Sequence, residues 1–130
     1  MKATFVESTG FTESVCDLLE DRAYARLQWA LMEDPDAGKV MPGCGGLRKI
    51  RIADPKRGKG KRGGARVVYL HVPEANRFYM LDVYGKDEKD DLSPAEKKVL
   101  RELAEQLKKE AIAARGQLAE EGNRHGDEDA

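Results

Sequence analysis

RVVYLHVPEANRFYMLDVY, residues 66–84, sets two runs rich in Val, Tyr and Phe on either side of a ProGluAlaAsn segment at 73–76. β-branched and aromatic side chains favour extended backbone, and a short segment carrying Pro and Asn reverses the chain. The stretch predicts an antiparallel hairpin of Arg66–Val72 with Phe78–Tyr84 at the centre of a sheet. Upstream, Leu47–Ala53 alternates as a further strand. Successive side chains leave a strand on opposite faces, so Ile50 and Ile52 share one face while Leu47, Lys49 and Arg51 share the other.

The flanking segments read as follows. Lys2–Glu7 alternates as a first strand. A short helix, capped by Thr12 or a neighbour, runs to about Leu19. A second helix, capped by Asp21, carries Tyr24, Leu27, Ala30 and Leu31 as an apolar stripe, with Trp29 off it, and ends before Pro35. Ser93, Pro94 and Glu96 form a helix start, with Ser at the cap, Pro at the first position and Glu three residues after the cap. Val99, Leu100, Leu103, Leu107, Ala111 and Ala114 recur at helical spacing behind it, and Gly116 is expected to end this helix. Asp54–Gly64, with four glycines and five Lys or Arg residues, reads as a mobile loop.

The chain has 130 residues, room for one domain with one modest core. Its composition is 36% charged and 6% aromatic, which predicts an ionised surface over an aliphatic interior. No apolar run approaches the roughly 18 residues of a membrane span, and the N-terminus lacks a secretory apolar stretch. A cytoplasmic protein without membrane contact is expected. Cys16 and Cys44 stand in no CxxC arrangement and have no His beside them, so both read as reduced thiols, with no metal site and no cofactor.

Net charge is −1, yet Arg48–Arg66 holds nine basic residues against one acid, Asp54, a local charge of +8. The rest of the chain therefore carries −9. Such a patch is the electrostatic footprint of a phosphate-bearing partner. Lys49, Arg51 and Arg66 fall in strands, where propensity disfavours lysine and packing gains nothing from charge; this favours anion binding over a merely solvated loop. Cutting RNA without metal requires a 2′-hydroxyl to lose a proton, the crowded phosphate to be stabilised and the 5′-oxygen to gain a proton. Cations serve the second need. Only His71 and His125 are present, one in a strand and one near the C-terminus, so a pair of histidines does not carry the proton transfers.

Four motifs, GLRKIR at 46–51, KGKRGGARVVY at 59–69, FYMLDVYGK at 78–86 and DLSPAE at 91–96, together with FVEST at 5–9, resemble in this order the RelE/HigB family of toxins. The likeness extends over about residues 2–110. It implies a compact α+β domain, a small antiparallel sheet with two N-terminal helices and a C-terminal helix, over residues 1–115. Residues 116–130 then form an acidic, disordered tail. It further implies a ribosome-dependent, metal-independent mRNA endonuclease. The expected partners are the ribosome, mRNA and an antitoxin with a helix-turn-helix DNA-binding domain.

Carried over by position, Lys49 and Arg51 match the paired basic residues of the family's second strand and Arg66 the arginine opening the next. Lys86 follows the strand-ending TyrGly, and Tyr84 is a candidate to stack on a base. Arg48, Lys56, Arg57, Lys59, Lys61 and Arg62 are assigned to RNA phosphate contacts. The tyrosine that some RelE toxins carry just after the last basic site has no counterpart, since residues 87–92 read DEKDDL; a lysine among other cations is one candidate for the general base. A ParE-like gyrase inhibitor and a noncatalytic RNA-binding module stay open as alternatives, because fold alone does not separate them.

Overall fold

A computed structural model describes residues 3–52, 64–85 and 92–129, with side chains as far as Arg115. The loop at Asp54–Gly63 and Lys86 lie outside the described residues. The chain forms β1 (Thr4–Glu7), α1 (Thr9–Leu18), α2 (Asp21–Glu33), β2 (Lys39–Val40), β3 (Arg48–Ile52), β4 (Ala65–Val72), β5 (Arg77–Gly85) and α3 (Pro94–Asp129). The strands make one sheet in the order β1-β5-β4-β3-β2. It is an α+β fold with three helices, as the sequence predicts.

The expected hairpin is present: β4 and β5 are antiparallel, joined by a 3-10 turn at Pro73–Ala75 and by Asn76 at φ 48. Asn tolerates this left-handed conformation better than most residues. The sheet is mixed rather than wholly antiparallel, because β1 runs parallel to β5 with Phe5 opposite Phe78. No hairpin can join these strands, since β1 passes directly into α1. Ser8 fixes that junction: its hydroxyl accepts from the Phe11 amide at 3.1 Å and donates to the Leu81 carbonyl at 2.9 Å. Ser8, not Thr12, is therefore the cap of α1, and Glu20 rather than Asp21 precedes α2 as its cap residue.

Both faces of the sheet are covered. Against α1 and α2 pack Phe11, Val15, Leu27, Leu31, Val67, Tyr69, Phe78 and Met80. Against α3 and the loop before β3 pack Leu47, Val68, Leu70, Val72, Tyr79, Ala104 and Ala111. Ile50 and Ile52 lie against the first cluster and Leu47 in the second, so the predicted alternation of β3 holds. Trp29 is 65% exposed, and Ala30, placed on the α2 stripe, is also exposed; Ala23 is buried in its place. On α3 Ala104 and Ala111 are buried and Leu100, Leu103 and Leu107 half-buried, while Val99 is 64% exposed.

The helix does not end at Gly116; its backbone continues to Asp129. Each glycine costs a helix only about 1 kcal/mol relative to Ala, and propagation through Gln117, Leu118, Ala119, Glu120 and Glu121 after Gly116 adds one hydrogen bond per residue. Its start is as predicted. The Ser93 hydroxyl accepts from the Glu96 amide and the Glu96 carboxylate accepts from the Ser93 amide, both at 3.1 Å. Replacing Ser93 by Ala removes one half of this reciprocal cap and is expected to lower stability by about 1 kcal/mol in urea denaturation; an unchanged midpoint would show that packing alone holds the first turn.

Candidate functional site

Strand pairing decides which cations meet. Lys39 of β2 lies opposite Lys49 of β3, and Arg51 of β3 lies opposite Arg66 of β4, which in turn faces Tyr84 of β5. Lys49 and Arg51 are two residues apart on one strand, about 7 Å, and leave it on the face that carries α3. Two like-charge cross-strand pairs thus sit side by side. Residues directly opposite have Cβ atoms about 5 Å apart, and like charges there are destabilising. An anion beside them would be attracted by several cations at once.

A cavity of about 490 Å³ opens beside these pairs. Four cations line it: Lys39, Lys49, Arg51 and Lys97, the last from the second turn of α3. Val40, Met41, Pro42, Cys44 and Leu92 supply the rest, and no carboxylate is among the described lining residues. Lys39 and Lys97 escape the sequence reading because the two-residue strand β2 has too little alternation to recognise, and a lysine near a helix start is ordinarily solvated.

The wall at 41–44 is held by α3. Arg101 donates to the Gly43 carbonyl at 3.2 Å and Lys108 to the Gly45 carbonyl at 2.7 Å. Gly45 has φ +72, and a Cβ there would lie 3.0 Å from the Ala104 Cβ and 3.2 Å from the Arg101 carbonyl oxygen. Only glycine lets the loop approach the helix this closely.

The other predicted residues fall as follows. Arg66 is 5% exposed and donates to the Gly64 carbonyl at 2.8 Å, so it lies beneath the row rather than on its surface. Tyr84 is 8% exposed and belongs to the core under α3, a position that presents no ring face to a base. Arg48 leaves β3 on the opposite face. It donates to the Gly38 carbonyl at 2.7 Å and pairs with Asp36 at 3.3 Å, which ties down the loop leading into β2. Tyr69 holds the same loop, its hydroxyl accepting from the Gly38 amide at 2.9 Å and donating to the Pro35 carbonyl at 2.8 Å. Burial raises the Tyr69 pKa, which keeps the phenol protonated as a donor. Arg48 is thus an anchor for β2 and is not brought to the cavity. Lys56, Arg57, Lys59, Lys61, Arg62 and Lys86 lie outside the described residues.

His71 is on the far face of β4, stacked on Phe78 with ring centroids 4.4 Å apart. Burial lowers its pKa, which favours the neutral ring. Among the described residues no group of His, Cys, Asp or Glu is placed to hold a metal ion, and no helix is long and apolar enough to cross a membrane.

Residues 32–124 match the family described as the RelE toxin of the RelE/RelB toxin-antitoxin system, and the chain belongs to that family. It is a toxin that pairs with an antitoxin. The match includes every element that builds the cavity, from β2 to α3.

Proposed function

We propose that this RelE-family toxin stops translation by cutting ribosome-bound mRNA, with the scissile phosphate held over Lys49 and Arg51. The observation that carries this reading is the convergence of Lys39, Lys49, Arg51 and Lys97 on one cavity of about 490 Å³ with no carboxylate among its described lining residues.

On this reading the 2′-hydroxyl of the preceding ribose attacks phosphorus, the bond to the 5′-oxygen breaks, and a 2′,3′-cyclic phosphate is left. Charge grows on the non-bridging oxygens as five bonds form at phosphorus. Lys49 and Arg51 stabilise that charge with donors fixed in advance by the strand. Arg66, buried behind them, adds a fixed positive charge and orients its neighbours rather than touching the phosphate. Arginine stays protonated in proteins and serves only as charge and donor. A lysine among the cations is one candidate to take the proton of the 2′-hydroxyl or return one to the 5′-oxygen, and His71, on the other face, takes no part. Lys56, Arg57, Lys59, Lys61 and Arg62 are assigned to rRNA and mRNA phosphates, and Lys86 to the margin of the site.

The functional domain is residues 1–115, with 116–130 an appendage. A toxin acting on ribosomes is expected in the cytoplasm, and the antitoxin that restrains it is expected to carry a helix-turn-helix DNA-binding domain. A ParE-like action on gyrase and a noncatalytic RNA-binding role are the alternative readings.

Single-turnover cleavage on saturating programmed ribosomes tests the assignment. Lys49→Ala and Arg51→Ala should each lower the rate on the order of 10²-fold, as removal of one donor to a charged transition state does. His71→Gln should leave it within about twofold, a change worth less than 0.5 kcal/mol. A collapse of activity in His71→Gln with folding intact would move the chemistry to the other face of the sheet.

A further inference from the structure

The cavity holds more positive charge than one phosphate needs. Lys49 and Arg51 are already committed to the scissile group in the reading above, yet Lys39 and Lys97 line the same space from two other elements. Lys39 comes from the edge strand β2, positioned through Arg48 and Tyr69, and Lys97 from the start of α3, positioned by the Ser93–Glu96 cap. Val40, Met41 and Pro42 line the same cavity and give it an apolar wall, with Val40 54% exposed. Apolar surface beside spaced cations, in a concavity within the ~300–1,000 Å³ range of small-ligand sites, matches the amphipathic outline of a nucleotide.

We infer that Lys39 and Lys97 bind the phosphates flanking one nucleotide of single-stranded RNA, whose base lies on the wall of Val40, Met41 and Pro42. This rests on the nuclease reading only for the choice of RNA as the ligand. Lys39 and Lys97 are binding residues here, distinct from the pair that stabilises the reacting phosphate. The first turns of α3 then belong to the RNA site as well as to the cover of the sheet. Because apolar contact with Val40, Met41 and Pro42 has no donor or acceptor pattern to read, the subsite accepts any base.

The test uses the full chain and a fluorescent 2′-O-methyl hexanucleotide, which cannot be cut because its 2′-oxygens are blocked. Binding is followed by fluorescence anisotropy across a salt series. Lys39→Ala and Lys97→Ala should each weaken binding roughly fivefold and reduce the log–log salt slope by about 0.7, the value for one lost phosphate contact on a single strand. Lys97→Arg should retain binding. Lys98→Ala, which removes an exposed charge of the same turn that does not line the cavity, should change it less than about twofold.

Loss of binding in Lys98→Ala equal to that in Lys97→Ala overturns the subsite, as does absence of any binding at low salt. The two proposals fail separately. Hexanucleotide binding that depends on Lys97, together with uncut mRNA on ribosomes, removes the nuclease reading and leaves the subsite standing. Cleavage on ribosomes with binding indifferent to Lys39 and Lys97 does the reverse.

Discussion

The two-residue pleat of β3 against β4 is the constraint from which the rest follows. With Ile50 opposite Val67 and Arg51 opposite Arg66, every second residue of β3 packs toward α1 and α2 and the others face α3. A slip of one residue would exchange the two sets, burying Lys49 and Arg51 among aliphatic side chains and exposing both isoleucines. The register is secured from outside the strand pair. Tyr69, fully buried, bonds two backbone groups of the loop at 35–38, and Arg48 beside it bonds a third and pairs with Asp36. Loss of the phenol oxygen would leave buried backbone groups without partners, a penalty of about 1–3 kcal/mol each. The same network that fixes the register therefore also fixes where Lys39 stands.

Assembly of the cavity from β2, β3 and α3 makes its geometry a product of tertiary packing. The loop at 41–46 is the third wall, and it is kept against α3 by Lys108 and Arg101 on glycine carbonyls and by the absence of a side chain at Gly45. Charge that local pairing would disfavour is thereby concentrated at one place, a pattern found where function and stability make opposing demands on the same residues.

Local rules made much of this legible in the sequence. The hairpin at 66–84, the Ser93–Glu96 cap, the end of α2 before Pro35 and the separation of Lys49 and Arg51 from Ile50 and Ile52 all follow from spacings of two to four residues. What escaped depends on contacts between distant segments. The parallel pairing of β1 is set by where α1 sends the chain. β2 is two residues long and exists only as a partner of β3. Arg48 reads as one more cation of a basic run until Asp36 and Gly38 are brought beside it, and burial of Arg66 and Tyr84 is a property of the assembled sheet. Val99 fits the helical spacing yet falls outside the contact made by α3, since a period describes a stripe and not how far the opposing surface reaches.

The cation row on the α3 face of the sheet is proposed to act on the phosphate of an mRNA. Mapping of mRNA ends after adding purified protein to programmed ribosomes, with chemical identification of the new 3′ end, tests this. Breaks inside the ribosome-covered codons that end in 2′,3′-cyclic phosphate are expected, and none in the same mRNA off the ribosome. Intact mRNA under these conditions, with loss of gyrase supercoiling at the same protein concentration, would contradict it.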